Sequence, residues 1–425
     1  MALETVFAME SSAIKFGPGA TREIGDDVSV RGCRRVLVLT DPRINESRVM
    51  ETARAALDAA GVEYDVFDGV YVEPTDASFK EAIAAASDGN YDGFVAVGGG
   101  SVIDTAKAAN LYSTHPADFL AYVTKPIGEG RPVPGPLKPL IAVPTTAGTG
   151  SETTGNAVLD FPEIGTKTAI AHRHLRPTLG VIDPENVRHL PPMVAACSGL
   201  DVLCHAIESY TAIPFDRRPA PGKPHLRTPY QGSNPVADIW AREAIRIGAE
   251  HLVDAVNDRD NHHARGQMLL ASTLAGIGFG NAGVHLPHAL SYPISRLSRN
   301  YFPPDYPSDH SLVPHGMSVV LTAPAVFRWT ADAAPKAHRE AAILLGAPAG
   351  EVDETNAGDA IAERFTEIMK AIGMPNGLTG VGITGDDLDA LVEGTLPQQR
   401  LLVISPKEPS KDDIRQLFAD SMTLW

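Results

Sequence analysis

The chain has 425 residues, which suits two ordinary domains and a large core that needs no disulfide staples. Lys and Arg number 36 against 52 Asp and Glu, a formal charge of −16. A surface that acidic repels phosphate backbones and anionic lipid, so nucleic acid and membranes are excluded as expected partners. Gly (38) and Pro (34) are abundant enough to imply many loops, where function is best sought.

In chain order, residues 35–40 read as a buried strand and 46–60 as a helix closed by Gly61. A strand over 63–67 precedes a helix over 78–87. Residues 93–97 form the next strand, followed by Gly98-Gly99-Gly100 and a helix over 101–112. After a Pro/Gly loop at 126–139 come a strand over 140–144, a hairpin over 156–160 and 167–171, and a last strand over 180–183. Strand–helix alternation of this kind predicts a mostly parallel sheet with helices on both faces. Beyond Pro184 the β-pattern stops, and long Ala/Leu/Ile-rich helices follow, broken by polar loops at 214–235 and 300–314. The reading is a dinucleotide-binding α/β domain over 1–187 and an all-helical metal-binding domain over 188–425.

Residues 267–295 contain no Asp, Glu, Lys or Arg, long enough to span a bilayer. Asn281, His285, Pro287, His288 and Pro293 within it point instead to a buried helix leading into a polar site. Cys197 and Cys204 share one helix about 10.5 Å apart along its axis, too far for a disulfide. With Cys33 they leave an odd, sparse set suited to a reducing compartment. The first ten residues carry no secretory signal, and a cytoplasmic protein is expected.

Three sequence features carry chemistry. Gly98-Gly99-Gly100-Ser101, between strand and helix, offers a close backbone and a helix N-terminus to a phosphate. The loop Pro144-Thr-Thr-Ala-Gly-Thr-Gly-Ser-Glu152 adds the hydroxyls of Thr145, Thr146, Thr149 and Ser151. Asp41, ending the first strand, suits a ribose or, equally, a helix cap. In the helical half, Asp201 and His205 stand at i, i+4 on one helix face. His285, His288 and His315 lie in or just beyond the uncharged stretch. One carboxylate and two or three imidazoles suit a divalent transition metal; satisfied core histidines are the plainer alternative.

GGGSVIDTAK (98–107), PTTAGTGSE (144–152), GLDVLCHAIESY (199–210) and VPHG (313–316) resemble the motifs of iron-containing, group III alcohol dehydrogenases, over nearly the whole chain. The resemblance implies a dehydroquinate synthase-like architecture, with the site in a cleft between a nucleotide-binding α/β domain and a helical domain. It implies metal ligands Asp201, His205, His288 and His315. His288 is preferred to His285 because HALSYP (288–293) aligns with the family's HGMAHP-like run. The implied cofactor set is Asp41, Gly98, Gly99, Gly100, Ser101, Asp104, Thr145, Thr146, Thr149, Ser151 and Lys167. Tyr292 stands where many members place a second histidine that moves a proton, so Tyr292 is the implied catalytic group.

TPYQGSNPVADIWAREAI (228–245) and GIGFGNAGVHLPHALSYPIS (276–295) narrow the resemblance to hydroxyacid-oxoacid transhydrogenases. That subfamily converts 4-hydroxybutyrate and 2-oxoglutarate to succinate semialdehyde and D-2-hydroxyglutarate, with nicotinamide as an internal hydride carrier. The implied cofactors are NAD, held tightly as the internal carrier, and a divalent metal, Fe²⁺ before Zn²⁺; the implied partner is a small hydroxy or oxo acid, and a homo-oligomer is expected. An alcohol dehydrogenase with exchangeable NAD and a non-catalytic scaffold are the alternatives. Carboxylate substrates call for a cation near the metal, drawn from Arg217, Arg218, Lys223, His225, Arg227, Arg296 and Arg299.

Overall fold

A computed structural model describes residues 2–306 and 311–425. Part of the polar loop expected over 300–314, residues 307–310, lies outside the described residues. The chain divides into two compact units, Glu10–His189 and Met1–Met9 with Leu190–Trp425. The first nine residues therefore belong with the helical unit, where the sequence reading put them in the α/β domain. Their long-range ties are explicit: Arg227 pairs with Glu4 at 2.9 Å, and Gln231 bonds the backbone of Ala8.

In the first unit, β1 (Ala13–Phe16), β2 (Arg35–Leu39), β3 (Glu63–Phe67), β4 (Gly93–Gly98), β5 (Leu140–Pro144) and β8 (Leu179–Ile182) make one six-stranded sheet. β6 (Asn156–Phe161) and β7 (Thr166–Ala171) form a separate antiparallel hairpin. The sheet order is β1-β8-β5-β4-β2-β3, and every pairing in it is parallel. Helices α1 (Ile24–Ser29), α2 (Pro42–Asn45), α3 (Arg48–Ala59), α4 (Asp76–Asp88) and α5 (Gly100–Thr114) supply the crossovers.

Strand alternation explains how the sheet is covered. Val36, Val38, Val95, Val97, Ile141 and Val143 pack with Ile24 and Val28 of α1 and Met50 and Leu57 of α3. Their strand neighbours Leu37, Leu39, Phe94, Ala96, Leu140 and Ala142 pack with Ala82 and Ala86 of α4 and Ile103 and Ala106 of α5. Burial on both faces is why these strands read as unbroken apolar runs. β1 is the strand the sequence reading lacks. It is a four-residue edge strand with Ile14 and Phe16 exposed, so it carries no such run.

The second unit contains no strand among the described residues. Its main helices are α6 (Pro192–Thr211), α7 (Pro235–Asn257), α8 (His262–Ala282), α9 (Leu286–Leu297) and α10 (His315–Val320). α6 and α7 approach closely at Gly199, where an added Cβ would sit 2.2 Å from Leu252 Cδ1. The uncharged stretch is a pair of helices: α8 ends at Gly283, whose φ of +104° favours glycine, and α9 leaves at 106° to it. No single helix among the described residues is long and apolar enough to cross a membrane. All three cysteines are free and buried.

Candidate metal centre and nucleotide loops

α6 is apolar nearly all round, so its charged residues stand out. Asp201, His205 and Glu208 recur at i, i+4 and i+7, which puts all three on one face of the helix. All three are buried. The bend between α8 and α9 brings His288 to this face: its Nε2 is 3.5 Å from Asp201 Oδ1. His315 Nε2 is 3.9 Å from the same oxygen. The glycine after His315 lets α10 come this close, because an added Cβ on Gly316 would lie 2.0 Å from the Cys197 carbonyl oxygen.

Asp201, His288 and His315 each present one ligand atom, all within 4.8 Å of one another. His205 Nε2 is 3.7 Å from Asp201 Oδ1, outside that tight set; its ring stacks between Phe279, at 4.0 Å, and His288, at 4.6 Å. Two buried atoms that face each other, Asp201 Oδ1 and His288 Nε2, have no hydrogen-bond partner among the described residues. Buried polar atoms are normally satisfied. A divalent transition ion would satisfy both, and a donor set of one carboxylate with imidazoles suits it.

The electrostatics follow from the same packing. Burial opposes ionisation of Asp201, but His205, His315 and His288 outweigh it and hold the carboxyl at about 2. Burial pushes His205 down to about 4. It works against the His288 cation too, yet Glu208 and Asp201 raise that ring to about 10. His285 is driven well below its ordinary range by burial; its Nε2 meets Thr211 Oγ1 at 3.2 Å, and it is absent from the ligand cluster.

Glu208 is the residue that sequence reasoning passed over. Its Oε1 meets His288 Nδ1 at 2.6 Å, and its Oε2 accepts the His285 N–H at 2.6 Å. The signal was available, as a glutamate in phase with Asp201 and His205 on an otherwise uncharged helix. Tyr292 lies one turn beyond His288 on α9, and its ring is buried. Its hydroxyl accepts a hydrogen bond from Arg400 Nη2 at 2.7 Å.

In the α/β unit, Gly98 pairs with Pro144 in register, and the Thr145 N–H donates to the Gly98 carbonyl at 3.1 Å. The two loops are therefore adjacent. Glycine is required where they touch: an added Cβ on Gly100 would fall 2.6 Å from Thr149 Cγ2, and one on Gly99 3.2 Å from Thr146 Cγ2. β3 and β4 flank β2, so the strand order reverses there, and open α/β sheets bind ligands at such a switch. Gly99, Gly100, Ser101, Thr146 and Thr149 are partly exposed at these strand ends, while Gly98 and Thr145 are buried.

Other expected nucleotide residues have protein partners. Asp41 caps α2, accepting from the Arg43 and Ile44 N–H groups. Lys167 pairs with Glu73 at 2.9 Å. Asp104 accepts from the Val158 N–H and from Ser151 Oγ. Ser151 in turn accepts from Lys107 Nζ at 2.6 Å. Lys107 is wholly buried and also donates to Asp104, Thr154 and the Asn156 carbonyl, an anchor that the sequence reading missed. Of the proposed carboxylate-binding cations, Arg227 pairs with Glu4, Arg299 with Asp387, and Arg218 donates to the Tyr230 carbonyl.

A nucleotide-type sheet and a separate carboxylate–imidazole centre define an oxidoreductase class, and comparison with known proteins agrees. Residues 11–184 match the family model described as iron-containing alcohol dehydrogenase, and residues 230–422 that of the Fe-containing alcohol dehydrogenase family, C-terminal. The chain belongs to the iron-containing alcohol dehydrogenase family, whose members are oxidoreductases acting on CH–OH groups.

Within it, the chain is 50% identical over 421 residues to the mitochondrial hydroxyacid-oxoacid transhydrogenase of Bos taurus, covering 99% of this chain and 90% of that protein. The Homo sapiens protein of the same name is 49% identical over the same length and coverage. Among solved structures, a 1,3-propanediol oxidoreductase matches with a TM-score of 0.85 at 28% identity, covering 98% of this chain and all of that one. Sulfoacetaldehyde reductase from Bifidobacterium kashiwanohense, solved in complex with NAD+, matches with a TM-score of 0.80 at 25% identity and 98% coverage of each chain. Both transhydrogenases are named mitochondrial. Those names point to the mitochondrion and overturn the cytoplasmic expectation, which rested on a missing signal that says nothing about compartment.

Proposed function

We propose that this chain is a metal- and NAD-dependent oxidoreductase of small hydroxy acids that transfers hydride from 4-hydroxybutyrate to 2-oxoglutarate, yielding succinate semialdehyde and D-2-hydroxyglutarate. The observation that carries the chemistry is the Asp201–His288–His315 cluster, in which Asp201 Oδ1 and His288 Nε2 are buried with no hydrogen-bond partner among the described residues. The substrate class comes from the transhydrogenases that match 99% of the chain.

In this reading Asp201, His205, His288 and His315 hold the ion, Fe²⁺ by family and Zn²⁺ by donor chemistry as the variant. When bound, the metal supplies Lewis-acid polarisation of the reacting oxygen, and nicotinamide supplies hydride transfer. Glu208 fixes the His288 tautomer by accepting from Nδ1, which leaves Nε2 for the ion. Tyr292, on the same helix face, holds the transferable proton at its hydroxyl. Gly99, Gly100, Ser101, Thr146 and Thr149 would hold the dinucleotide, and the free N–H groups at the N-terminus of α5 would suit its phosphates. The NAD stays bound between half-reactions.

The test is incubation of purified enzyme with 4-hydroxybutyrate and 2-oxoglutarate without added NAD. Equimolar succinate semialdehyde and 2-hydroxyglutarate are expected, and no turnover contradicts the reading. The likeness to 1,3-propanediol oxidoreductase favours a second reading, an alcohol dehydrogenase with exchangeable NAD, in which turnover needs added cofactor.

A further inference from the structure

We infer that Arg400 receives the carboxylate of both acid substrates beside the metal centre, and so sets the specificity of the site. The inference rests on the hydroxy-acid reading above. Arg400 lies in the short helix Gln399–Leu402, and its Nη2 donates to the Tyr292 hydroxyl at 2.7 Å. Its guanidinium stands 5.9 Å from the centre of the Tyr292 ring. Tyr292 is four residues on from His288 in α9, so the two side chains share one helix face. The buried tyrosine that holds this partly buried arginine therefore stands one helical turn from His288 on the same face of α9.

Charge and burial together separate Arg400 from the other candidates: Arg217, Lys223 and His225 are exposed, and Arg218 donates to the Tyr230 carbonyl. Arg227 and Arg299 are neutralised by Glu4 and Asp387. Arg296 is exposed. Arg400 forms no ion pair among the described residues, although the chain carries 52 acidic side chains. The guanidinium has five N–H donors in a planar fork that matches a carboxylate, and the Tyr292 bond uses one of them. Partial burial strengthens such a charge-assisted bond.

Substrate chemistry explains why one arginine serves both half-reactions. In 4-hydroxybutyrate two methylenes separate the carbinol carbon from the carboxylate. In 2-oxoglutarate two methylenes separate the keto carbon from the distal carboxylate. With bonds of about 1.5 Å, either acid spans about 6 Å between its reacting oxygen and that carboxylate. Four helical residues advance about 6 Å, the step from His288 to Tyr292. The guanidinium that Tyr292 holds is thus offset from the His288 position along α9 by a step that matches the span of either acid.

The test compares wild-type holoenzyme with Arg400→Gln and Arg400→Lys, each checked for folding by circular dichroism. The kcat/KM ratio of 4-hydroxybutyrate over uncharged 1,4-butanediol should fall roughly 10- to 100-fold in Arg400→Gln. The 2-oxoglutarate half-reaction should lose a similar factor, and Arg400→Lys should lie between. A second readout, calorimetric binding of succinate to metal-free protein, should weaken by a similar factor; succinate has the same two-methylene spacing. Unchanged ratios and succinate binding in Arg400→Gln, or a loss confined to one half-reaction, overturn the assignment. If wild type neither turns over the hydroxy acid nor binds succinate, the hydroxy-acid reading itself fails. If it binds without turning over, succinate affinity alone decides on Arg400. If Arg400→Gln does not fold, Arg400→Lys carries the comparison, and unchanged values there overturn the assignment.

Discussion

Glu208 Oε1 lies 2.6 Å from His288 Nδ1, and the second oxygen of the same carboxylate accepts the His285 N–H at 2.6 Å. One wholly buried glutamate thus orients His288, the proposed metal ligand, and ties down the start of α9 that carries it. Removing its charge while keeping its shape should loosen the His288 ring. Glu208→Gln is expected to lower metal affinity about 10- to 100-fold, the usual cost of losing such a supporting partner, measured by chelator competition. Wild-type affinity in that variant would show that the carboxylate does not support the ligand.

Lys107 presents the same logic in the other unit. Its ammonium is wholly buried, and burial drives its pKa down, yet it has four oxygen partners. Lys107→Met removes the anchor of Ser151 and leaves the Asp104 carboxylate without its cation. Loss of one member of a buried pair costs about 3–5 kcal/mol, and urea unfolding should show a drop of that order. A drop below about 1 kcal/mol would mean that water replaces the ammonium freely.

Gly100→Ala separates the nucleotide loops from plain turn geometry. The new Cβ would meet Thr149 Cγ2 at 2.6 Å, so the threonine loop must shift. Dinucleotide affinity should weaken about tenfold, the equivalent of one or two lost hydrogen bonds at about 1 kcal/mol each. Isothermal titration measures it, and an unchanged affinity would remove these loops from the binding site.

Asp238, in α7, supplies a pH test. Burial raises its carboxyl to about 7, and its Oδ1 has no hydrogen-bond partner among the described residues. In the unfolded chain the group ionises near pH 4. Between about pH 4 and 7 the folded protein therefore holds the extra proton, and this group's contribution to stability falls as pH rises through that window. Asp238→Asn removes the penalty, so its melting temperature should exceed wild type by a few degrees at about pH 8. That advantage should shrink toward pH 5; a gap independent of pH would contradict the assignment.

How much was legible in the sequence depended on whether the signal was local. β2 to β5 were readable because both faces of the sheet are buried, which leaves runs such as Val36-Leu37-Val38-Leu39. β1 was not, since Ile14 and Phe16 face outward at the sheet edge. Nor was the placement of the first nine residues, which depends on pairings 223 residues apart. Asp201 and His205 were visible through helical spacing, while no local pattern marks Lys107 or Arg400. Their partners, Ser151 and Tyr292, lie 44 and 108 residues away.

The most direct measurement uses 4-hydroxybutyrate deuterated at its carbinol carbon, mixed with 2-oxoglutarate and enzyme, with no added NAD. Internal hydride transfer predicts one deuterium at C2 of the 2-hydroxyglutarate formed, detected by mass spectrometry and retained in ordinary water. Formation of unlabelled 2-hydroxyglutarate, or of none, would contradict the account.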